Sequence, residues 1–424
     1  MKMRMTIAEK ILARASGRDS LRPGEIVTAR IDRTRLSDHR VPEYHKALLE
    51  LGITSVWNPD KVTALIEHNA PASSLANADA HVDCRKFVED YGIPHFYEVG
   101  RGGICHTVFI EEGFARPGEL VAACDSHTCT YGAFNVAARG LGIDDMIYVL
   151  AKGETWFRVP ETIRFHLKGS LPERTSAKDI VLHIAGKYGN DCALYKSIEY
   201  LGDGASGLSL WSRVTMCNMG IDLGAKFALF EADDKTVAYV KERTNEPFTP
   251  VATDLDAPVW AEHEIDLGAL EPLVACPYSL SNVKPVGELK DVAVQQCFLG
   301  SCNSGSIEDF RVAASYLKGK KVNPRTRLIV IPGSMAVYRQ LLREGILEIL
   351  LNAGAAIESP TCGPCNGSCK GLLGHGERAL STTNRNNKGR QGSKTSETYL
   401  ASMDVVAASA VTGKITDPRK ADRA

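Results

Sequence analysis

The stretch "SPTCGPCNGSCKG" carries Cys362, Cys365 and Cys369 within eight residues, set among Gly, Pro, Ser and Asn. Cys302 stands sixty residues upstream, in "FLGSCNSG". A closed zinc site wants four ligands, commonly as two CxxC pairs. One CxxC with a single further cysteine is a ligand short unless Cys369 or a histidine joins. A redox CxxC opens a helix after a strand, whereas "NGSCKGLLG" is a poor helix start. Three thiolates suit a [4Fe–4S] cluster whose fourth iron stays open as a Lewis acid. On spacing alone, cluster, zinc, redox pair and plain thiols all stay open.

Histidines and carboxylates recur nearby in the chemistry. "GICHTVFIEEG" places His106 ahead of a β-like run, with Glu111 five residues on. "CDSHT" gives Asp125, Ser126 and His127, and "IEHNAP" gives Glu67 and His68. Asp–Ser–His in a row is not a hydrolase triad, whose members converge from distant segments. A carboxylate beside an imidazole can fix a tautomer or pass a proton. Taken singly, each is equally a buried, hydrogen-bonded histidine. "NRNNKGR" supplies Asn384, Arg385 and Arg390. Arginine grips carboxylates bidentately, although one such loop by itself reads as solvated surface.

The elements that must position these groups alternate between strand and helix. Strands are expected at 63–68, 119–124, 161–167, 196–202, 292–300, 327–333, 354–359 and 378–383. Helices are expected at 43–52, 132–141, 176–187, 206–219, 306–318, 335–343 and 397–410. A short opening helix with Thr6 as cap buries Ile7, Ile11 and Leu12. This alternation predicts α/β layers with largely parallel sheets. Domains are expected at 1–158, 159–275 and 276–424. The polar clusters "DSHTCTYG", "SCNSG", "PTCGPCNG" and "NRNNKGRQG" each follow a strand-like run. Ligands bind at the carboxyl ends of strands in open α/β sheets, so one site assembled between domains follows.

The 424 residues carry a formal net charge of −1 and are 44 % hydrophobic. That balance offers no basic field for nucleic acid or anionic membrane, and no apolar run nears the length needed to cross a bilayer. A cytoplasmic chain is expected. Its twelve cysteines are then reduced rather than structural disulfides.

Together these motifs resemble the aconitase superfamily, and within it the large subunits of the 3-isopropylmalate dehydratase and homoaconitase group. The resemblance runs from "MTIAEKILARASG" through "YEVGRGGICHTVFIEEGFARPGELVAACDSHTCTYGAF", "MCNMGIDLGAK", "VACPYSLSNVKPVGE", "SPTCGPC" and "STTNR" to "YLASMDVVAASAVTGKI". It implies three α/β/α domains around a central cleft. It implies a [4Fe–4S] cluster ligated by Cys302, Cys362 and Cys365, one iron lacking a protein ligand. His68, His106, Asp125 and His127 would surround the substrate. Glu67 stands where the family has the Asp of an Asp–His pair. Glu199 in "SIEYLG" falls on an acidic position placed near the cluster. Ser126, Asn384, Arg385 and Arg390 would contact the substrate.

The implied reaction is reversible dehydration of a 2-hydroxy di- or tricarboxylate, with 2- and 3-isopropylmalate as the first expectation and leucine biosynthesis as the setting. Homocitrate-type acids and dimethylmalate or another alkylmalate are alternatives. A non-catalytic, iron-responsive scaffold is the alternative of a different class. The family's catalytic base lies on a swivelling domain that this sequence does not carry. The resemblance therefore implies a separate small subunit of roughly 160–200 residues, in a heterodimer or heterotetramer. Three segments depart from the family: "RTRLSDHRVPEY" at 33–44, Asn303 and Ser304 beside the first cluster cysteine, and Asn387 in the Arg loop. Cys369 is expected to point away from the cluster.

Overall fold

The computed structural model describes residues 3–422. Its first helix, Ile7–Ala15, begins at Thr6 as expected. The Thr6 hydroxyl accepts from Glu9 N, and the Glu9 carboxylate accepts from Thr6 N at 2.7 Å. This reciprocal cap satisfies two donors that a helix start leaves open. Ile7, Ile11 and Leu12 are fully buried.

Three larger sheets follow, with a two-stranded ribbon joining Ile26–Arg30 to Glu154–Arg158. The five-stranded sheet runs His95–Tyr97, Val62–Leu65, Arg33–Ser37, Leu120–Ala123, Ala137–Gly140, all parallel. The four-stranded sheet runs Phe227–Phe230, Ser197–Leu201, Thr162–Lys168, Ala261–Asp266, also all parallel. In the seven-stranded sheet, Ala356–Ile357, Arg327–Ile331, Gln296–Gly300, Arg378–Ser381 and Glu397–Ala401 are parallel. Two short antiparallel strands, Leu273–Ala275 and Val283–Pro285, extend that sheet. This is the expected α/β class. In the first and last of these sheets the strand order reverses beside a central strand. The first reversal separates Arg33–Ser37 from Leu120–Ala123, and the second separates Gln296–Gly300 from Arg378–Ser381. Such switch points open a crevice at the strands' carboxyl ends.

Sheet membership changes between Arg158 and Thr162, and again between Asp266 and Leu273. The expected 275/276 boundary therefore falls too late, because Leu273–Ala275 already pairs with Glu397–Ala401. The cores ignore these boundaries. Phe227 and Leu229 pack with residues of the first sheet, whereas Ala228 and Phe230 on the opposite face pack with the second. Alternation along one strand thus joins two units into one packed body.

All eight expected strands are present, mostly shorter than expected. Three helix-or-strand expectations change. Residues 132–141 are not a helix: a 3-10 segment Ser126–Phe134 stops at Asn135, and Ala137–Gly140 is a strand. Asn135 takes a left-handed φ of 62°, a region asparagine tolerates. Its amide donates to Phe230 O and Val251 O and accepts from Val251 N, which fixes the stop. Residues 397–410 split into the strand Glu397–Ala401 and the helix Met403–Thr412, because pairing with Arg378–Ser381 claims the first half. "CHTVFIE" is the helix Cys105–Glu111 rather than a strand. Glu67 Oε2 accepts from Cys105 N at 2.7 Å at its start, and a carboxylate there favours a helix over the β-branched bias of the sequence.

Glu111 ends that helix and accepts from Ser334 Oγ at 2.9 Å, across to the third sheet's connections. Burial pushes its carboxyl from 4.5 up to about 7. The folded chain thus disfavours the ionised form. That cost is absent below pH 4.5, grows above it, and is complete above about pH 7. Glu111→Gln should leave stability unchanged at pH 4 and raise it at pH 8, by at most about 3 kcal/mol. Urea midpoints at the two pH values check this.

Candidate active site

The cysteine turns sit at carboxyl ends of the seven-stranded sheet. Gly300 closes the central strand with φ 141°, and Ser301 follows at a left-handed φ of 86° before Cys302. A Cβ on Gly300 would meet Ile331 O at 2.1 Å, and one on Gly363 would meet Ile331 Cδ1 at 2.5 Å. Both cysteine-bearing turns therefore pack on the same neighbouring strand end, which only glycine allows. Asn303 completes the first turn: its side-chain oxygen accepts from Ser301 Oγ and Ser304 Oγ, each at 2.9 Å. Asn303 O also accepts from Thr215 Oγ1 at 2.6 Å, which ties the departure at 303–304 to the helix Leu210–Asn218. Asn387, the other departure in this half, is exposed.

Two amides frame the sulfurs. Asn218 Nδ2 donates to Cys302 Sγ at 3.2 Å. Asn384 Nδ2 lies 3.6 Å from the same sulfur and donates to Asn218 Oδ1. Asn384 Oδ1 is 3.9 Å from Cys302 Sγ and 4.0 Å from Cys365 Sγ. Arg390 acts on Cys365 by its charge, while its Nε is buried without a hydrogen-bond partner. Burial, then the neighbouring sulfurs, raises the Cys302 thiol.

From the first sheet comes a hub of histidines on one carboxylate. Asp125 Oδ1 lies 2.9 Å from His106 Nε2 and accepts from His127 N at 2.7 Å, and Oδ2 lies 3.6 Å from His68 Nε2. Burial alone would raise the Asp125 carboxyl, but the histidine hydrogen bonds hold it well below the carboxylate range. Burial lowers His106. For His68, burial is outweighed by Cys362, Glu67 and Asp125, which raise it. Glu67 approaches His68 Nδ1 to 3.0 Å and accepts from Ser37 Oγ at 2.5 Å. Thr361, beside Cys362, bonds the carbonyls of Glu67 and His68 at 2.9 and 2.8 Å. That hydroxyl seats the cysteine loop on the histidine loop.

The second sheet adds Asp222, which sequence reasoning missed. Asp222 Oδ1 accepts from Arg385 Nε at 2.6 Å, and Oδ2 lies 3.3 Å from His127 Nε2. Arg385 Nη2 reaches Ser126 Oγ at 3.3 Å. Asn218 was missed too. Both lie in "MCNMGIDLGAK", where a polar pair at i, i+4 in an otherwise apolar run is the signal available. Also missed were Asp38 and His39, which end the strand Arg33–Ser37: Asp38 Oδ1 accepts from His68 N at 3.3 Å, and the His39 ring lies 4.2 Å from that of His68.

Glu199 is a correction. It is fully buried in the four-stranded sheet, bonded by Ile7 N at 2.7 Å, Arg164 Nε at 3.1 Å and Thr253 Oγ1 at 3.0 Å. Its partners lie among none of the site residues. The carboxylate ties the opening helix to the second sheet and balances a buried arginine.

Cys302 and Cys365 share Asn384 Oδ1, at 3.9 and 4.0 Å, and Cys362 joins Glu67 and His68. Cys369 is buried with its sulfur 4.0 Å from Thr361 Oγ1. Glu67, His68 and Cys362 also lie within 4.8 Å of one another, but Glu67 is committed to Ser37, Cys105 N and His68. Three converging thiols, two amide donors and the orphaned Arg390 Nε fit an iron–sulfur cluster better than a four-ligand zinc site. Cys302→Ala, Cys362→Ala and Cys365→Ala should each abolish cluster uptake, whereas Cys369→Ala keeps it. Iron and sulfide content after anaerobic reconstitution, with absorption at about 400 nm, reads this out.

The sequence matches the Aconitase family (aconitate hydratase) over residues 9–291 and 278–413. It is 47 % identical over 416 residues to the probable 3-isopropylmalate dehydratase large subunit of Methanothermobacter thermautotrophicus, covering 98 % of this chain and 99 % of the relative. It is 48 % identical over 417 residues to 3-isopropylmalate dehydratase large subunit 1 of Methanopyrus kandleri, with the same coverage. In fold it is similar to the crystal structure of aconitase X from Thermococcus kodakaraensis, with a TM-score of 0.51, 12 % identity and 84 % of each chain covered. Matched along nearly its whole length, the chain belongs to the aconitase family.

Proposed function

We propose that this chain is the cluster-carrying large subunit of a hydro-lyase that reversibly dehydrates a 2-hydroxy dicarboxylate, interconverting 2- and 3-isopropylmalate. The observation that carries this reading is a set of groups from several strand ends joined by shared contacts: Asn384 approaches Cys302 and Cys365, Thr361 beside Cys362 bonds the carbonyls of Glu67 and His68, and Arg385 reaches Ser126 beside Asp125. Cys302, Cys362 and Cys365 would hold a [4Fe–4S] cluster, whose iron without a protein ligand supplies Lewis acidity toward the substrate's hydroxyl and carboxylate.

The chain's own groups bind, orient and move protons. Arg385, aimed by Asp222, clamps a substrate carboxylate, and Ser126 Oγ adds a hydrogen bond from the same side. Arg390 adds a second guanidinium whose charge is felt at Cys365. His106 Nε2 lies 2.9 Å from Asp125 Oδ1, and the cluster of histidines around Asp125 supplies the proton that a departing hydroxyl takes. His68, held between Glu67 and Asp125, keeps that carboxylate ionised. Asn384 and Asn218 orient the sulfur of Cys302. None of these groups is assigned the carbon-bound proton. We place that base on a small partner subunit, and the large-subunit names of the relatives support the existence of such a partner.

A second reading concerns the substrate's side chain. His39 lies against His68, and its Nδ1 is buried without a partner. Burial, then His68, lowers its pKa to about 4, so it is a neutral imidazole with hydrogen-bonding capacity to spare. That favours a substrate with a further polar group, such as homocitrate, over a bare alkyl group. The reconstituted pair should turn over isopropylmalate faster than homocitrate, dimethylmalate or citrate, and the large chain alone should be nearly inactive. Preference for homocitrate would select the second reading. Full turnover by the large chain alone would overturn the subunit assignment.

A further inference from the structure

Lys178 is the second residue of the helix Ala177–Tyr188 and is 2 % exposed. A buried ammonium is costly, and a cation at a helix N-terminus opposes the helix dipole. Its Nζ donates to the carbonyls of Thr382 and Thr383, at 3.0 Å for the latter. These residues end the strand Arg378–Ser381 and lead directly into Asn384 and Arg385. Thr382 also binds the Cys302 turn: its hydroxyl accepts from Gly300 N at 2.9 Å, and its carbonyl accepts from Ser301 Oγ at 3.4 Å.

The charges facing Lys178 are Asp309, Asp179, Cys302 and Cys365, in decreasing order of effect. Both aspartates are committed elsewhere. Asp309 accepts from Ser306 N and Oγ, and Asp179 accepts from Ser176 N and Leu273 N. Burial pushes their carboxyls up to about 6 and about 7. Neither balances the ammonium fully, whereas thiolates at Cys302 and Cys365 would complete the balance.

We propose that Lys178 is a positioning residue of the cluster site. Its ammonium fixes the turn from which Asn384 and Arg385 reach inward, and it supplies a buried positive charge behind Cys302 and Cys365. The first half stands on hydrogen bonds of this chain. The second half rests on the proposed function, because it needs a cluster.

Lys178→Met removes both charge and donors, and Lys178→Gln keeps a donor without charge. Amide exchange of the apo chain reads the first half: Lys178→Met should exchange about tenfold faster across 381–390, the size expected for a lost buried charge-assisted hydrogen bond, while Lys178→Gln stays near wild type. The midpoint potential of the reconstituted cluster, followed by electron paramagnetic resonance, reads the second: both variants should shift it negative. In the complex with the small subunit, Lys178→Met should raise KM more than it lowers kcat. Wild-type exchange in Lys178→Met overturns the positioning claim, and a wild-type potential in Lys178→Gln overturns the charge claim even if the Met variant does not fold. A wild-type chain that takes up no cluster overturns the proposed function together with the charge claim, while the exchange comparison still decides the positioning claim.

Discussion

One buried carboxylate holds the three sheets to a common centre. Asp222 follows the helix Leu210–Asn218 of the second unit, and its side chain is 5 % exposed. One oxygen faces His127 from the first sheet, and the other takes Arg385 from the third. A buried anion is tolerated only when paired on more than one side. The constraint therefore runs both ways. Asp222 holds His127 and Arg385 toward the centre, and Asp222 keeps its charge because both approach it. Burial opposes its ionisation, and His127 and Arg385 outweigh that and lower its pKa.

The rest of the site follows from strand order. In each flanking sheet the strand order reverses beside a central strand, and each reversal leaves a gap at the carboxyl ends. Into the first gap the chain sends Asp38, Glu67, His68 and Asp125. Into the second it sends Cys302, Asn384 and Arg385. The two gaps are brought face to face by Thr361, whose single hydroxyl bonds two carbonyls of the histidine loop. The Cys105–Glu111 helix makes a second crossing, since Ile104 N donates to Gly333 O and Met335 N donates to Gly102 O. Backbone pairing at the start of that helix thus adds to the side-chain contacts of Thr361 and Asp222 in bringing the strand ends together.

Much of this was legible in the residues. The strand ends carrying Asp125, Cys302 and Asn384 announce themselves, because an apolar run breaks into Gly, Ser and Asn. The Thr6 cap and the Ala177–Tyr188 helix follow from local rules that tertiary packing does not oppose. What stayed hidden depended on distant partners. "CHTVFIE" reads as a strand until Glu67 is placed at its start. Glu199 reads as a site acid until Ile7 N, Arg164 and Thr253 are found around it. Asp222 and Asn218 sit inside a mostly apolar run, where a polar residue reads as a satisfied core group. Their roles appear only when Arg385 and Cys302 arrive from residues more than eighty positions away.

The strand Arg33–Ser37 shows why the segment at 33–44 resisted interpretation. Two arginines in five residues do not read as a central strand, yet all five are buried. Arg33 is balanced by Glu246 at 2.8 Å and Glu119 at 3.6 Å. Arg35 bonds Ser37 Oγ at 2.6 Å and lies 3.6 Å from Glu67. A guanidinium buried without such company would cost several kcal/mol. The longer side chain at position 67 then has a physical reason. Its carboxylate must span Ser37 and Arg35 on one side and Cys105 N and His68 on the other. An aspartate, one methylene shorter, would surrender part of that set and leave Arg35 uncompensated beneath the histidines. Glu67 therefore serves two purposes at once, lying 3.6 Å from the guanidinium buried in a central strand and holding the imidazole of the adjoining loop.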